Sequence, residues 1–108
     1  MKILCVCQRG NCRSVALGYL LKDYHGIEAI AIGWQTAGPE SKAFLFSWAD
    51  RIVVLQPEMR QHVPEEYQGK TLVFNVGPDT YGHARNPQLL NKLEDFITKA
   101  KSNEWSVS

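Results

Sequence analysis

The sequence predicts a single α/β domain over residues 1–108. The expected architecture is a three-layer fold, in which a four-stranded parallel sheet of order 2-1-3-4 carries helices on both faces. Short apolar runs alternate with segments of helical periodicity, which is typical of right-handed βαβ crossovers. Glycines and prolines separate these runs and supply the turns. The 108 residues, 44% of them hydrophobic, suffice for one core and no more.

The first predicted unit is a strand, a loop and a helix. Residues 2–6 are apolar and lack glycine and proline, which favours a buried central strand. Residues 7–14 then form a turn, called here the reactive loop, before helical spacing begins over 15–24. Gly26 is expected to end this helix. Its predicted buried stripe is Ala16, Leu17, Leu20, Leu21 and Tyr24.

The middle of the chain predicts two more strands around a second helix. Residues 27–32 are apolar enough for a strand, and Pro39 can open a helix because the first helical turn does not need its amide. The β-branched run within 51–55 predicts the third strand. The expected apolar face of the second helix is Phe44, Leu45, Trp48 and Ala49.

The C-terminal part is predicted to end the sheet and cover it. A short irregular helix is expected over 57–67, followed by a fourth strand over 71–76. Asn86 supplies an N-cap and Pro87 a first-turn proline for the last helix. Residues 102–108 are expected to fray. The predicted buried stripe of the last helix is Leu89, Leu90, Leu93, Phe96, Ile97 and Ala100.

The reactive loop has the composition of an anion site. Its backbone amides precede a helix N-terminus, where unsatisfied donors and the positive end of the dipole point the same way. Cys7 stands at its start, and a thiol near an arginine and a helix N-terminus becomes a nucleophile. Arg13 can hold two phosphoryl oxygens with its fixed fork of donors. Phosphate chemistry is the expected use.

A second loop, residues 77–82, is predicted to meet the reactive loop. The loops after the first and fourth strands both leave the carboxyl edge of a parallel sheet, where such sheets bind ligands. This would bring Asp79 over Cys7, where its carboxyl can act as a general acid. His83 is the alternative acid nearby. Residues 77–82 are called here the acid loop.

These motifs resemble the low-molecular-weight protein tyrosine phosphatases, most of all the short bacterial and phage-type members. Residues 7–14 resemble the family's cysteine-x5-arginine-serine loop, 36–38 its serine-alanine-glycine turn, 49–55 its third strand and 78–82 its acid loop. The resemblance implies hydrolysis of a phosphorylated protein or a small aryl phosphate through a cysteinyl-phosphate intermediate. It implies no metal and no cofactor.

The resemblance also implies roles for single residues. Cys7 would be the nucleophile, Arg13 the phosphate clamp and Asp79 the acid that protonates the leaving group and then activates water. Ser14 would hydrogen-bond the thiolate, Tyr81 would contact an aryl substrate at the entrance, and Thr36 would support the loop. The remaining residues expected to bind substrate are Gln8, Arg9, Gly10, Asn11 and Cys12.

The cysteines predict a reduced, cytoplasmic protein. Cys5, Cys7 and Cys12 form an odd, crowded set that does not resemble a secreted disulfide framework, and they lack a fourth ligand for zinc. Cys5 is expected in the core, pointing away from Cys7. Cys12 either packs silently or forms a reversible disulfide with Cys7.

Charge gives no sign of a polyanionic partner. The 12 basic and 11 acidic residues leave a formal net charge of +1, so neither nucleic acid nor a membrane surface is expected as a partner. No apolar run approaches the length of a membrane-spanning helix. The oligomeric state is left open.

Three other functions stay open at this point. A phosphocysteine carrier, similar to the IIB domains of sugar phosphotransferases, would share the size, the fold and the start of the reactive loop. A phosphate-binding module without turnover would keep the same loop. A thioredoxin-coupled arsenate reductase is disfavoured because the sequence has no cysteine after Cys12.

Overall fold

The computed structural model describes residues 1–8, 12–78 and 80–105. In chain order these residues form β1 (Lys2–Cys7), α1 (Arg13–His25), β2 (Glu28–Gly33), α2 (Pro39–Trp48), β3 (Arg51–Val54), two 3-10 helices (Pro57–His62 and Glu65–Lys70), β4 (Thr71–Val73) and α3 (Pro87–Ser102). Within those ranges, no helix is both long enough and apolar enough to cross a membrane.

The four strands form one parallel sheet, and the predicted order 2-1-3-4 is confirmed. β1 lies at the centre, where Cys7 pairs with Gly33 of β2 and Val6 pairs with Val54 of β3. β4 pairs with β3 and forms an edge. Because all four strands run the same way, their carboxyl ends and the loops that follow lie along one edge of the sheet.

Each face of the sheet has its own core, so the predicted three layers are confirmed. α1 and α3 cover one face, on which Ile3, Cys5 and Cys7 lie. α2 and the first 3-10 helix cover the other, on which Leu4 and Val6 lie. The expectation that Cys5 points away from Cys7 is therefore wrong, because residues two apart on a strand share a face.

α1 is built much as its spacing predicts, although it begins at Arg13 rather than at residue 15. Gly26 ends it in the left-handed conformation, with φ of 64°, and its amide donates to the Leu21 carbonyl. The buried stripe forms as expected except at Tyr24, which is 66% exposed. The prediction that Tyr24 is buried is wrong, because Tyr24 lies in the last turn of α1. Its hydroxyl contacts the Tyr19 hydroxyl at the surface instead.

Leu45 and Trp48 of α2 pack against the core as the spacing predicts, but the prediction for Phe44 is wrong. Phe44 is 67% exposed, whereas Phe46 is 2% exposed and fills the core beneath the helix. The reason is aromatic packing, since the Phe46 ring lies 5.8 Å from that of Tyr67 and 6.0 Å from that of Trp34. Ala49 is buried as predicted.

The C-terminal part of the chain completes the core beneath α1 and α3. β4 ends at Val73, shorter than predicted, but the Phe74 amide still donates to the Val54 carbonyl. The Asn86 side chain accepts from the Gln88 amide at 2.9 Å, which confirms the N-cap of α3. The expected fraying is wrong up to residue 105, because Trp105 is 4% exposed and packs against Phe74. Residues 106–108 lie outside the described part of the chain.

Candidate active site

Cys7 and Ser14 meet at the carboxyl end of β1. The Cys7 Sγ lies 3.1 Å from the Ser14 Oγ, and the two side chains are 2% and 0% exposed. β1 positions the thiol, and the first turn of α1 positions the hydroxyl. A serine hydroxyl at this distance can donate a hydrogen bond to a thiolate and so stabilise its charge.

Arg13 is the first residue of α1, and its guanidinium is buried. The side chain is 1% exposed, and Nη1 donates to the Gly77 carbonyl oxygen at 3.0 Å. Nε is also buried and has no hydrogen-bond partner among the described residues. A buried cationic donor left unpaired is costly, so an anion that accepts from it would be bound favourably.

The start of α1 adds backbone donors to the same place. The first intrahelical bond runs from the Ala16 amide to the Cys12 carbonyl at 2.9 Å, and the amides before Ala16 have no carbonyl partner within the helix. The first turn of α1, all of it within the described residues, has no acidic side chain to occupy this end of the dipole. The helix N-terminus and the Arg13 guanidinium are both electropositive, and both belong to the end of the reactive loop that Cys7 begins.

Gly77 begins the acid loop and links it to Arg13. Its φ of 84° lies in the left-handed region that side chains disfavour. Its amide donates to the Asn75 Oδ1 at 3.2 Å, while its carbonyl accepts from Arg13. Sequence reasoning missed Asn75. The sequence does contain a signal for this contact, because an asparagine two residues before a glycine is typical of a local turn.

Four of the predicted site residues lie outside the described part of the chain. They are Arg9, Gly10 and Asn11 of the reactive loop and Asp79 of the acid loop. The prediction that Asp79 faces Cys7 therefore remains a prediction. Gly77, two residues before Asp79, is held beside Arg13.

Tyr81 anchors the C-terminal end of the acid loop through hydrogen bonds. Its hydroxyl donates to the Val76 carbonyl and accepts from the Lys92 Nζ at 3.0 Å, and its own carbonyl accepts from the Asn86 side chain at 2.8 Å. The ring is half-buried against the core beneath α1 and α3. Its contact with an aryl substrate stays a prediction, whereas its loop contacts are part of the fold.

Gln8 belongs to the reactive loop, and Thr36 lies in the turn that follows β2. The Gln8 carbonyl accepts from the Gln35 amide at 2.9 Å, which continues the pairing of β1 with β2 past the strand ends. The Thr36 hydroxyl donates to the Gly33 carbonyl at 3.3 Å within its own turn. Whether Thr36 supports the reactive loop is left as a prediction.

A cleft that the sequence did not predict opens beside Gln8. It has a volume of about 290 Å³ and is lined by Gln8, Trp34, Gln35, Gln56, Glu58 and His62, with Met59. This group is called here the side cleft. The sequence feature that indicates this cleft is Trp34, a large side chain directly after β2, at the edge of the sheet where the strands end.

The three cysteines are present as thiols and differ in their surroundings. Cys5 is fully buried, and burial raises the pKa of its thiol far above the ordinary range, so it stays protonated. Cys12 is 5% exposed and lies at the start of α1. Among residues 1–8, 12–78 and 80–105, no group of three or more histidine, cysteine or acidic side chains is arranged to hold a metal.

Comparisons with known proteins bear on the fold. No family model matches the chain, and no curated protein matches its sequence. A solved protein tyrosine phosphatase is similar, with a TM-score of 0.70 and 18% identity over 94% of this chain and 96% of that one.

Two further solved structures match over nearly their full length. The YwlE arginine phosphatase of Geobacillus stearothermophilus has a TM-score of 0.67 and 18% identity over 99% of this chain and 97% of its own. The Erwinia amylovora tyrosine phosphatase AmsI has a TM-score of 0.64 and 18% identity over 91% of both chains. The chain therefore has the fold of the low-molecular-weight tyrosine phosphatases.

Proposed function

We propose that this chain is a cysteine-dependent phosphatase that hydrolyses phosphotyrosine-like phosphate monoesters through a cysteinyl-phosphate intermediate. The observation that carries the proposal is the 3.1 Å contact between the Cys7 Sγ and the Ser14 Oγ, the residue that directly follows the buried Arg13. A buried thiol beside a hydroxyl is by itself not specific to a phosphatase. Together with a buried arginine whose Nε is unpaired among the described residues, at the start of a helix, such a thiol is suited to attack on a bound phosphate.

In the first step the Cys7 thiolate attacks phosphorus from the side opposite the ester oxygen. The S–P bond forms as the P–O bond to the leaving group breaks. Arg13 and the first-turn amides of α1 bind the phosphoryl oxygens and stabilise the charge that spreads over them in the transition state. Asp79 gives its proton to the departing oxygen, so the product leaves as a neutral alcohol or phenol.

In the second step water attacks the phosphorus of the cysteinyl-phosphate. Asp79, now a carboxylate, takes a proton from this water as the P–O bond forms and the S–P bond breaks. The thiolate of Cys7 leaves, and the Ser14 hydroxyl stabilises it by donating a hydrogen bond at the observed contact. The products are inorganic phosphate and the starting enzyme, and neither step calls for a metal or a cofactor.

The substrate is a phosphorylated side chain of a protein or a small aryl phosphate. Two phosphorylated amino acids deserve a direct comparison, because solved structures of this fold include tyrosine phosphatases and arginine phosphatases. A variant of the latter carries a phosphorylated active-site serine, a covalent species of the kind proposed here. Steady-state assays with phosphotyrosine and phosphoarginine, side by side, identify the preferred leaving group.

Mass spectrometry tests the covalent step and separates this function from its alternatives. After mixing with substrate, a phosphatase shows a phosphorylated Cys7 that appears and decays as phosphate accumulates. A phosphocysteine carrier retains the adduct, whereas a binding module forms none and releases no phosphate. A persistent adduct or a complete lack of turnover would refute the proposal. A cytoplasmic location, where thiols stay reduced, forms part of the proposal.

A further inference from the structure

The side cleft adjoins the reactive cysteine through the backbone. Gln8, the residue after Cys7, lines it directly. The Trp34 amide donates to the Cys7 carbonyl at 2.8 Å, and the Gln35 amide donates to the Gln8 carbonyl at 2.9 Å. A group bound in the side cleft would therefore contact the residue that follows Cys7, while the Cys7 thiol itself lies toward the other face of the sheet.

One wall of the side cleft is rigid and aromatic. The Trp34 and His62 rings stack with their centroids 4.9 Å apart and 22° between their planes. The Lys42 Nζ lies 3.9 Å from the Trp34 ring centroid and also donates to the Trp34 carbonyl at 3.4 Å. Met59, which is 6% exposed, adds an apolar surface. A wall fixed in advance costs little ordering entropy when a ligand binds.

The polar groups of the side cleft are side-chain amides. Gln8, Gln35 and Gln56 all line the side cleft, and within the described residues their side chains make no hydrogen bond. Each amide offers two donors and an acceptor with two lone pairs, the complement of the N–H and C=O groups of a peptide backbone. An apolar wall with a few convergent polar groups is the usual composition of a ligand cleft, although this one is at the small end of the range.

The charge near Glu58 disfavours a second anion. Glu58 is acidic, and among the described residues the lining contains neither lysine nor arginine, while the Lys42 ammonium lies over the Trp34 ring. Lysines instead line a separate cleft at the start of the acid loop, where Lys92 and Lys99 lie with Gly77 and Asp95. A group beside Glu58 would be favoured if it were neutral or cationic.

We propose that the side cleft binds the peptide residue next to the phosphorylated side chain, and that Glu58 favours a basic residue there over an acidic one. The inference rests on the proposed function and narrows its substrate to a phosphorylated peptide segment. The glutamine amides bind the peptide backbone, and the edge of the Trp34 ring, whose faces contact His62 and Lys42, meets the neighbouring side chain.

Two pairs of variants test this with p-nitrophenyl phosphate and phosphotyrosine pentapeptides. Gln56→Ala should lower kcat/KM for the peptide relative to p-nitrophenyl phosphate about fivefold, the loss of one hydrogen bond. Gln61→Ala changes an exposed glutamine outside the cleft lining, in the 3-10 helix that Gln56 precedes, and should leave that ratio unchanged. The ratio isolates peptide binding from any change in the chemistry at Cys7.

The charge preference is tested with pentapeptides that carry either lysine or glutamate on both sides of the phosphotyrosine. Glu58→Gln should reduce the lysine-to-glutamate ratio of kcat/KM about two- to fivefold at low salt, the range of an exposed charge pair. The matched control Glu65→Gln, an exposed acidic residue outside the cleft lining, should not change it. The effect should shrink as salt is added.

The outcomes separate this inference from the proposed function. Equal losses on both substrates in Gln56→Ala, or equal charge effects in Glu58→Gln and Glu65→Gln, would overturn the side cleft as a peptide site while leaving the phosphatase intact. Turnover of p-nitrophenyl phosphate without turnover of any pentapeptide would also overturn it. If the wild-type chain hydrolysed neither substrate, the proposed function itself would fail and the inference with it.

Discussion

Arg13 and Gly77 are 64 residues apart in sequence, yet the Arg13 Nη1 donates to the Gly77 carbonyl at 3.0 Å. One residue opens the helix that follows the reactive loop, and the other opens the acid loop. The bond therefore joins the predicted phosphate clamp to the segment that carries the predicted acid. The buried Nε of Arg13 has no hydrogen-bond partner among the described residues.

Gly77→Ala should weaken this link through the backbone. At a φ of 84° an alanine costs about 1–3 kcal/mol of strain, although nothing lies within 4 Å of the new Cβ. Relief of that strain would shift the Gly77 carbonyl away from Arg13, so kcat/KM for aryl phosphate should fall on the order of 10-fold to 100-fold. Gly69→Ala is the matched control, because its Cβ also meets open space and its φ is ordinary. Equal activity in the two variants would show that the Gly77 conformation does not serve the site.

Arg13→Lys should separate charge from geometry. Lysine keeps the positive charge but lacks the planar fork that binds two phosphoryl oxygens at once. We expect kcat/KM for p-nitrophenyl phosphate to fall about 100-fold or more, as when a single preorganised transition-state donor is removed. Arg60→Lys, an exposed arginine bonded to Gln68, serves as the control and should retain wild-type activity. Full activity in Arg13→Lys would mean that a point charge suffices.

Ser14→Ala should slow the second step more than the first. The hydroxyl lies 3.1 Å from the Cys7 Sγ and would stabilise the departing thiolate when the cysteinyl-phosphate breaks down. Rapid-quench kinetics should show a burst of phenol followed by a slower steady state, with phosphorylated Cys7 accumulating. Ser41→Ala, an exposed serine on α2, should show neither change. A Ser14→Ala variant with no accumulated intermediate would remove the serine from the mechanism.

Asn86→Ala should lower stability through the cap of α3. The Asn86 Oδ1 accepts from the Gln88 amide, and its Nδ2 donates to the Tyr81 carbonyl, so the side chain joins the helix to the acid loop. Loss of the cap should lower the free energy of unfolding by about 1 kcal/mol, measured by urea denaturation. Asn91→Ala, an exposed position on the same helix, is expected to be neutral or slightly stabilising. Equal unfolding midpoints in the two variants would contradict the capping role.

The sequence was sufficient to predict how the sheet is assembled. Apolar runs and the right-handed crossover rule led to the order 2-1-3-4. The parallel direction of all four strands brings the loops after β1 and β4 to the same edge. The strand order depends on local periodicity and on topology, both of which are present in the sequence pattern. The contact of Cys7 with Ser14, in contrast, was expected from the family resemblance.

Other features depend on contacts between distant residues, which periodicity does not encode. Phe46 rather than Phe44 enters the core because Trp34 and Tyr67 provide ring partners there. Trp105 is buried because Phe74, just past β4, presents a ring to it. The side cleft likewise needs segments after β1, β2 and β3 to be placed together before its glutamines become neighbours.

Hydrolysis of p-nitrophenyl phosphate by the wild type and by Cys7→Ser shows whether Cys7 carries the reaction. The control is Cys5→Ser, whose thiol lies on the same face of β1 but is fully buried and stays protonated. Folding of each variant is checked by circular dichroism. We expect turnover in the wild type, its abolition in Cys7→Ser and its retention in any Cys5→Ser protein that folds. Turnover at the wild-type rate by a folded Cys7→Ser variant would show that Cys7 is not the nucleophile.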